Sequence, residues 1–365
     1  MKRKKNAPDF ILFITVIALL AFGVLMVFSS SAVVAGQEYG DPYHFLKKQL
    51  TWTAFGLLAM FLVMNIDYKW YRGYVGWFML GTIILLSLVL VVGIFSHGAT
   101  RWLGFENLRL QPSELAKLTM VMFLARFYSR NLEKTQSFKK GVLPNLAVLA
   151  IIAGLILLQK DLGTTVVLLG ATFIVFFVAG VRIFHLLFLV AGAAFSVLAA
   201  IYLEPFRVKR FFAFVDPWVD PLGDGFQIIQ SLMAIGSGGL FGVGFGDSKQ
   251  KFFYLPERHT DFIYAIIGEE WGFIGGFLVI FLFGVFIWRG CKIALSVQDN
   301  FGRLLAIGIT SVIGFQAVLN IAVVTGSVPV TGITLPFISY GGSSLLFSLI
   351  GVGILLNISR AVNLK

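Results

Sequence analysis

Long apolar runs separated by short polar breaks dominate the pattern of residues along the chain. Runs of this kind match the roughly 20 residues that a helix needs to cross the hydrocarbon core of a membrane. A transmembrane barrel would instead show segments of about ten residues with alternating polarity, and the sequence contains none. We predict an all-α, polytopic membrane protein with ten transmembrane helices. The predicted spans are residues 10–34, 50–66, 74–95, 112–128, 143–159, 162–180, 183–203, 261–288, 303–325 and 337–358.

One predicted loop is much longer than the others. It covers about residues 204–260, between the seventh and eighth spans. The sequence shows no internal repeat and no separate soluble domain. We therefore expect residues 1–365 to form one integral-membrane domain that carries a large extracytoplasmic loop.

Composition supports a membrane protein. The chain is 58% hydrophobic and only 13% charged, with a mean hydropathy of +0.88, which is too apolar for a soluble protein of this length. Cys291 is the single cysteine, so an intrachain disulfide is excluded. It falls in a predicted cytoplasmic loop, where we expect an inert thiol.

The distribution of charge predicts the orientation in the membrane. Lys2, Arg3, Lys4 and Lys5 precede the first span and indicate an uncleaved anchor with a cytoplasmic N-terminus. With ten spans, the cytoplasmic side then receives 17 of the 29 Lys and Arg residues but only four of the 18 acidic residues. This agrees with the positive-inside rule. We predict a location in the cytoplasmic membrane with both termini in the cytoplasm, and no nucleic-acid partner despite the net charge of +11.

Asp261 is the strongest candidate for a catalytic residue. A carboxylate at the mouth of a membrane span is costly, so it is functional by default. In a partly dehydrated cavity it would accept a proton from a sugar hydroxyl as a general base. The alternative is that Asp261 caps the helix that starts there, and both roles are compatible. Glu269 and Glu270 lie two turns further on. Glu269 would share a helix face with Asp261, and the two glutamates form either part of the site or a buried, hydrogen-bonded pair.

Cations on the same predicted outer face suit a diphosphate better as a set than singly. They are Arg101, Arg207, Arg210 and Lys251. Arg101 stands beside Trp102 and could instead be an interfacial anchor. Arg207 and Arg210 could instead form a solvated or lipid-phosphate-facing end of the seventh span.

Polar residues at the start of two other spans have similarly open interpretations. Glu114 and Lys117 are three residues apart, so they form either a neutralised pair or a pair in which Lys117 offers charge to a diphosphate. Asp161 either caps the next helix or binds substrate. The run 242–247 lacks the βαβ context of a dinucleotide loop, and the four histidines lack zinc spacing. Any metal would be a divalent cation, Mg²⁺ or Mn²⁺, held by carboxylates and phosphate oxygens, and we expect no other cofactor.

Several longer motifs occur together in one order. They are Arg101-Trp102, Gln111-Pro112-Ser113-Glu114, Asp161-Leu162-Gly163-Thr164, Gly225-Phe226-Gln227, Tyr254-Leu255-Pro256-Glu257, Thr260-Asp261-Phe262, Pro329-Val330-Thr331-Gly332 and Gly341-Gly342-Ser343-Ser344. Through these motifs the chain resembles the SEDS family (RodA, FtsW, SpoVE) along essentially its whole length. The segment Gln250-Lys251-Phe252-Phe253-Tyr254 is most similar to SpoVE and FtsW of Gram-positive rods.

The resemblance implies a glycosyltransferase that polymerises lipid II into peptidoglycan strands on the outer face, together with a class B penicillin-binding protein, in division, elongation or sporulation. The essential aspartate of the family falls on Asp261. The conserved Glu and Lys of its fourth span fall on Glu114 and Lys117, and its outer-loop arginine falls on Arg101. This chain has Lys160 where the family commonly has proline, which adds a positive charge near the predicted site.

Two other functions fit ten spans and an outer basic site. A lipid II flippase would need polar groups accessible from both leaflets, whereas the polar residues of these spans gather towards the outer ends. A non-catalytic scaffold would bind the transpeptidase as the enzyme would, so only the activity of the purified pair separates those two functions.

Overall fold

Helices account for most of the structure. The computed structural model describes residues 6–96, 99–105, 108–252 and 254–362, and only the backbone of 95, 96, 105, 108, 205 and 206. Within these ranges lie α1 (Phe10–Tyr39), α2 (His44–Asn65), α3 (Tyr68–Val92), α4 (Pro112–Arg130), α5 (Leu143–Leu158), α6 (Leu162–Val178), α7 (Ile183–Tyr202), α8 (Pro205–Val215), α9 (Phe226–Gly238), α10 (Ile263–Ser296), α11 (Asn300–Val324) and α12 (Gly342–Ser359). The anchor cations at positions 2–5, and Phe253, lie outside the described residues.

Ten of these helices, α1 to α7 and α10 to α12, lie at the ten predicted spans, and the predicted all-α class is confirmed. Within the described part of the chain, seven helical segments are long and apolar enough to cross a membrane: α1, α3, residues 138–158 ending in α5, α7, α10, α11 and α12. Helix α6 is apolar but shorter. The count of ten spans and the single-domain organisation stay predictions.

The structure corrects three local expectations. The long loop contains two helices, α8 and α9. The segment before α4 forms a small antiparallel sheet of β1 (Ile94–Ser96), β2 (Ala99–Phe105) and β3 (Leu108–Leu110). Cys291 lies inside α10 rather than in a loop. Helix α10 continues past the predicted end because Arg289 is neutralised there by the buried carboxylate of Asp9, at 2.5 Å.

Helix α11 lies at the centre of the helix packing, against α4, α6 and α10. Small residues permit the close approach that membrane helices use. A β-carbon at Gly308 of α11 would lie 2.3 Å from Cγ1 of Val121 on α4. Helix α12 packs mainly against α2. The side chains of α7 are mostly exposed, as expected for a helix that faces lipid.

Helix α10 is broken at Gly272, where φ is 65° and ψ is −160°. The loop after α9 fills the break. Its Val243 N–H donates to the Glu269 carbonyl at 3.0 Å, and the Phe273 N–H donates to the Gly239 carbonyl at 2.8 Å. These bonds provide partners for backbone groups that the break leaves free, as a membrane protein requires.

Two glycines of this loop allow the packing to be tested. Both have positive φ, +82° at Gly242 and +86° at Gly246, but a β-carbon would lie 2.1 Å from the Glu270 carbonyl oxygen only at Gly242; at Gly246 it would meet open space. We expect Gly242→Ala to lower the free energy of unfolding by about 1–3 kcal/mol more than Gly246→Ala, because only the former overpacks the break. Unfolding measured in detergent micelles checks this, and equal losses would contradict the packing.

Candidate active site

Asp261 lies in a tight turn just before α10, outside the membrane-spanning helix. The turn is closed by the N–H groups of Thr260 and Phe262, which donate to the Glu257 carbonyl at 3.2 and 3.1 Å. Phe262, not Asp261, occupies the cap position of α10, so the capping alternative for Asp261 is wrong. Among the described residues, none donates a hydrogen bond to its carboxylate, and the residue as a whole is partly buried. The carboxylate is therefore available to accept a proton.

Arg101 lies beside Asp261, across Gly332. A β-carbon at Gly332 would lie 3.5 Å from Asp261 Oδ2 and 3.9 Å from Arg101 Nη1. Both charged groups therefore border the space that the missing side chain leaves. Gly332 has φ of +72°, a conformation that favours glycine. Arg101 Nη2 also donates to the Lys160 carbonyl at 2.6 Å, so Arg101 serves the site rather than acting as an interfacial anchor.

A cavity of about 310 Å³ begins at Arg101 and is strongly basic. Four cations line it, namely Arg101, Lys160, Arg207 and Arg210, together with one acid, Glu204. Glu204 is paired with Lys160, with Oε2 3.6 Å from Nζ. Such a surplus of guanidinium groups favours a phosphate or diphosphate ligand. Arg207 and Arg210 lie on α8 and face this cavity, so they are more than the lipid-facing end of the seventh span that the sequence allowed.

Burial sets the charge state of Asp261. Together with the nearby negative charge of Glu257, burial raises the pKa of this carboxyl to about 7, against the opposing effect of Arg101 and Arg210. The charge of Asp161 also raises it. At neutral pH the carboxyl is thus divided between its acid and base forms, as suits a group that takes up a proton and later releases it.

Asp161 is a helix cap. Its Oδ1 accepts from the Thr164 N–H at 3.1 Å, and its Oδ2 accepts from Thr164 Oγ1 at 2.8 Å and Gln111 Nε2 at 3.1 Å. The side chain is buried. This corrects the prediction that Asp161 binds substrate directly, because its oxygens are committed to capping α6 and to the entry of α4.

Glu114 and Lys117 form a buried pair, with Nζ 2.8 Å from Oε1. The Lys117 ammonium also donates to Gln316 Oε1 on α11 at 2.5 Å. It points at α11 and is not one of the residues that line the basic cavity. The structure therefore matches the neutralised-pair alternative. The pair lines a separate small cavity, and a direct contact of these two residues with substrate stays a prediction.

Lys251 was predicted to be one of the cations that bind a diphosphate, but the structure pairs it with a buried carboxylate. Its ammonium is buried, lies 3.3 Å from Glu270 Oε1 and donates to the Gly246 carbonyl. A buried carboxylate needs such a partner. Glu270 also accepts from Ser29, while Glu269 accepts from Ser248. Both glutamates thus hold the loop against the broken α10, as the alternative of a buried, hydrogen-bonded pair proposed.

Gln316 and Asn320 are site residues that were not predicted from the sequence. They are four residues apart in the apolar ninth span, so they lie on one helix face, and polar residues in a membrane span are a signal of function. The backbone conformation at Lys160 also could not be predicted from the sequence. Its φ is +61°, which proline cannot adopt because its ring fixes φ near −65°.

The described residues contain no group of three or more His, Cys, Asp or Glu side chains that could hold a metal ion. Near Asp261, the carboxylates of Asp161 and Glu204 are already engaged with protein partners. The residues present therefore do not form a protein site for the Mg²⁺ or Mn²⁺ expected from the sequence.

Comparison with known proteins places this geometry in a family. Residues 10–364 match the model of the FtsW/RodA/SpoVE family of cell cycle proteins. The chain belongs to this family. Stage V sporulation protein E of Bacillus subtilis is 48% identical over 362 residues, 99% of both chains.

Two further relatives link the FtsW/RodA/SpoVE family to peptidoglycan. The probable peptidoglycan glycosyltransferase FtsW of Geobacter metallireducens is 43% identical over 96% of this chain and 94% of its own. Among solved structures, a chain of a peptidoglycan synthase complex that coordinates polymerization and crosslinking has a TM-score of 0.80 at 35% identity. It covers 98% of both chains.

The stability of the protein should depend on the buried pair of Glu114 and Lys117. Lys117→Met leaves Glu114 buried without its partner, so we expect the free energy of unfolding to fall by about 3–5 kcal/mol. Adding Glu114→Gln removes the buried charge and should restore part of that loss. Lys47→Met, at the exposed pair with Asp41, is the control and should cost about 0–1 kcal/mol. Unfolding in detergent measures all three, and a double variant no more stable than Lys117→Met would contradict this structure of the pair.

Proposed function

We propose that Asp261 is the general base of a peptidoglycan glycosyltransferase that polymerises lipid II. The chain is such a glycosyltransferase by its membership of the FtsW/RodA/SpoVE family and its 43% identity to a relative named for that activity. The observation that carries the proposal for Asp261 is its position beside Arg101, one of the four cations that line the basic cavity. A base for a sugar hydroxyl and a pocket for a diphosphate are thus adjacent.

The proposed reaction is an inverting transfer. The 4-hydroxyl oxygen of the acceptor GlcNAc attacks the anomeric carbon of the sugar that carries the lipid diphosphate. A carbon–oxygen bond forms there as the bond to the diphosphate oxygen breaks, and the diphosphate leaves with the electron pair. Asp261 accepts the hydroxyl proton. General-base assistance of this kind is worth roughly 10²–10⁴ in rate.

The cavity cations would stabilise the leaving group. Arg101, Arg207 and Arg210 present guanidinium groups to the cavity, and Lys160 adds a fourth cation. Fixed cations stabilise the charge that develops on the diphosphate as the bond breaks. Lys160 faces the basic cavity. It takes the diphosphate-binding role that the sequence suggested for Lys117 and Lys251.

The proposal extends to the partner, the substrates and the orientation in the membrane. The similar chain from a peptidoglycan synthase complex supports a class B penicillin-binding protein as the partner, with lipid II and the growing glycan strand as substrates. The excess of cations on one side supports a cytoplasmic membrane location, cytoplasmic termini and an outward-facing Asp261. A divalent cation, if required, would be held mainly by substrate phosphate.

Replacing the base tests the assignment. We expect Asp261→Asn to keep the fold and to reduce glycan polymerisation by roughly 10²-fold or more, since the amide cannot accept the proton. Asp247→Asn, an exposed acid of the same long loop, is the matched control and should leave the rate unchanged. Gel analysis of strands made from lipid II by the purified protein with its partner measures both. Near wild-type polymerisation by Asp261→Asn would overturn the assignment.

The pH profile provides an independent test. Because the base must be ionised and its pKa is about 7, the rate should rise through pH 7 and fall roughly tenfold for each pH unit below it. Arg210→Gln removes a positive charge that lowers this pKa, so the midpoint should move to higher pH. Initial rates between pH 5 and pH 9 provide both midpoints. A wild-type midpoint near pH 4, or one unmoved by Arg210→Gln, would contradict the proposed base.

A further inference from the structure

We propose that Asn320, assisted by Ser339, is a positioning residue that fixes the Asp261 turn against the Gly332 loop. This inference rests on the proposed function, because it assumes that Asp261 takes part in the reaction. Neither residue borders the basic cavity, so both would act through the position of Asp261.

Three successive backbone carbonyls of the Asp261 turn accept hydrogen bonds from other segments. The His259 carbonyl accepts from the Tyr340 N–H at 2.9 Å. The Thr260 carbonyl accepts from Ser339 Oγ at 2.6 Å. The Asp261 carbonyl accepts from Asn320 Nδ2 at 2.8 Å. A turn held at three consecutive residues has little freedom to move relative to these partners.

Asn320 bonds both the Asp261 turn and the Gly332 loop through one nitrogen. The same Nδ2 donates to the Ile333 carbonyl at 2.6 Å, and Ile333 directly follows Gly332. A single buried amide on α11 therefore sets the separation between the Asp261 turn and the Gly332 loop. Asp261 Oδ2 and Arg101 Nη1 face each other across this loop.

Gln316, one turn earlier on α11, extends this arrangement. Its Nε2 donates to the Thr334 carbonyl at 3.0 Å, while its Oε1 accepts from the Lys117 ammonium at 2.5 Å. Consecutive loop residues, Ile333 and Thr334, are thus held by consecutive turns of one helix. The buried pair of Glu114 and Lys117 orients Gln316, which explains how a charged pair away from the cavity can matter for the reaction.

Asn320→Leu tests the proposal, since leucine keeps the volume and removes both donated bonds. Displacing a reacting group by about 1 Å costs on the order of 10²-fold in rate. We therefore expect kcat to fall at least about tenfold, with KM for lipid II within about twofold because the cavity is unchanged. Ser339→Ala, which removes only a hydroxyl, should lower kcat less and also spare KM.

Asn357→Leu is the matched control. Asn357 is equally buried, on α12, and its amide donates to the Met64 carbonyl at 2.7 Å and accepts from the Tyr68 N–H at 2.9 Å. The substitution is the same and also removes buried hydrogen bonds, but it leaves the Asp261 turn intact. We expect lower stability with kcat within about twofold of wild type. An equal loss of kcat in both leucine variants would reduce Asn320 to a structural residue and overturn the proposal.

Hydrogen–deuterium exchange separates this inference from the proposed function. The Tyr340 amide, which donates to the His259 carbonyl, should exchange faster in Asn320→Leu and not in Asn357→Leu. Faster exchange with unchanged kcat would overturn the role of Asp261 in the reaction. Unchanged exchange would overturn the positioning role of Asn320, whatever the rate. If Asn320→Leu does not fold, an unchanged kcat in Ser339→Ala overturns the proposal.

Discussion

A polar group buried within a membrane protein has no water to bond, so it must find a partner in the protein. This constraint explains most of the site. The Asn320 amide, the Gln316 amide and the Lys117 ammonium each bond a group on another segment. These bonds tie α4 and α11 to the loop that carries Gly332. The Asp261 carboxylate differs from these three groups, because none of the described residues donates a hydrogen bond to it.

The cost of that exception is reduced by the raised pKa of Asp261, which lets the carboxyl exist partly in its neutral form. Arg101 and Arg210 limit the shift, so the ionised form remains accessible near pH 7. Their second role is to form one wall of the basic cavity with Arg207 and Lys160. The same cations thus tune the base and would bind the leaving group, which couples proton uptake to departure of the diphosphate.

The helical fold was predictable from the length and spacing of the apolar runs, and the position of Asp261 from the cost of a carboxylate at a span boundary. Roles that depend on contacts between distant segments were not. Sequence alone does not separate two sets of charged residues, because both lie near span ends. One set is Arg101 and Arg210, and the other is Asp161, Glu114, Lys117 and Lys251. Only the fold shows which of them line the basic cavity. Asn320 carried a weaker signal, a polar residue in an apolar span.

The central claim is that one ionisable group and one basic cavity act on two ends of the same reacting centre. A density map of the protein with lipid II and an acceptor strand tests it most directly. The account predicts the acceptor 4-hydroxyl within about 2.6–3.2 Å of the Asp261 carboxylate, with the diphosphate against Arg101, Arg207 and Arg210. A diphosphate bound elsewhere, or an Asp261 carboxylate out of reach of any sugar hydroxyl, would contradict it.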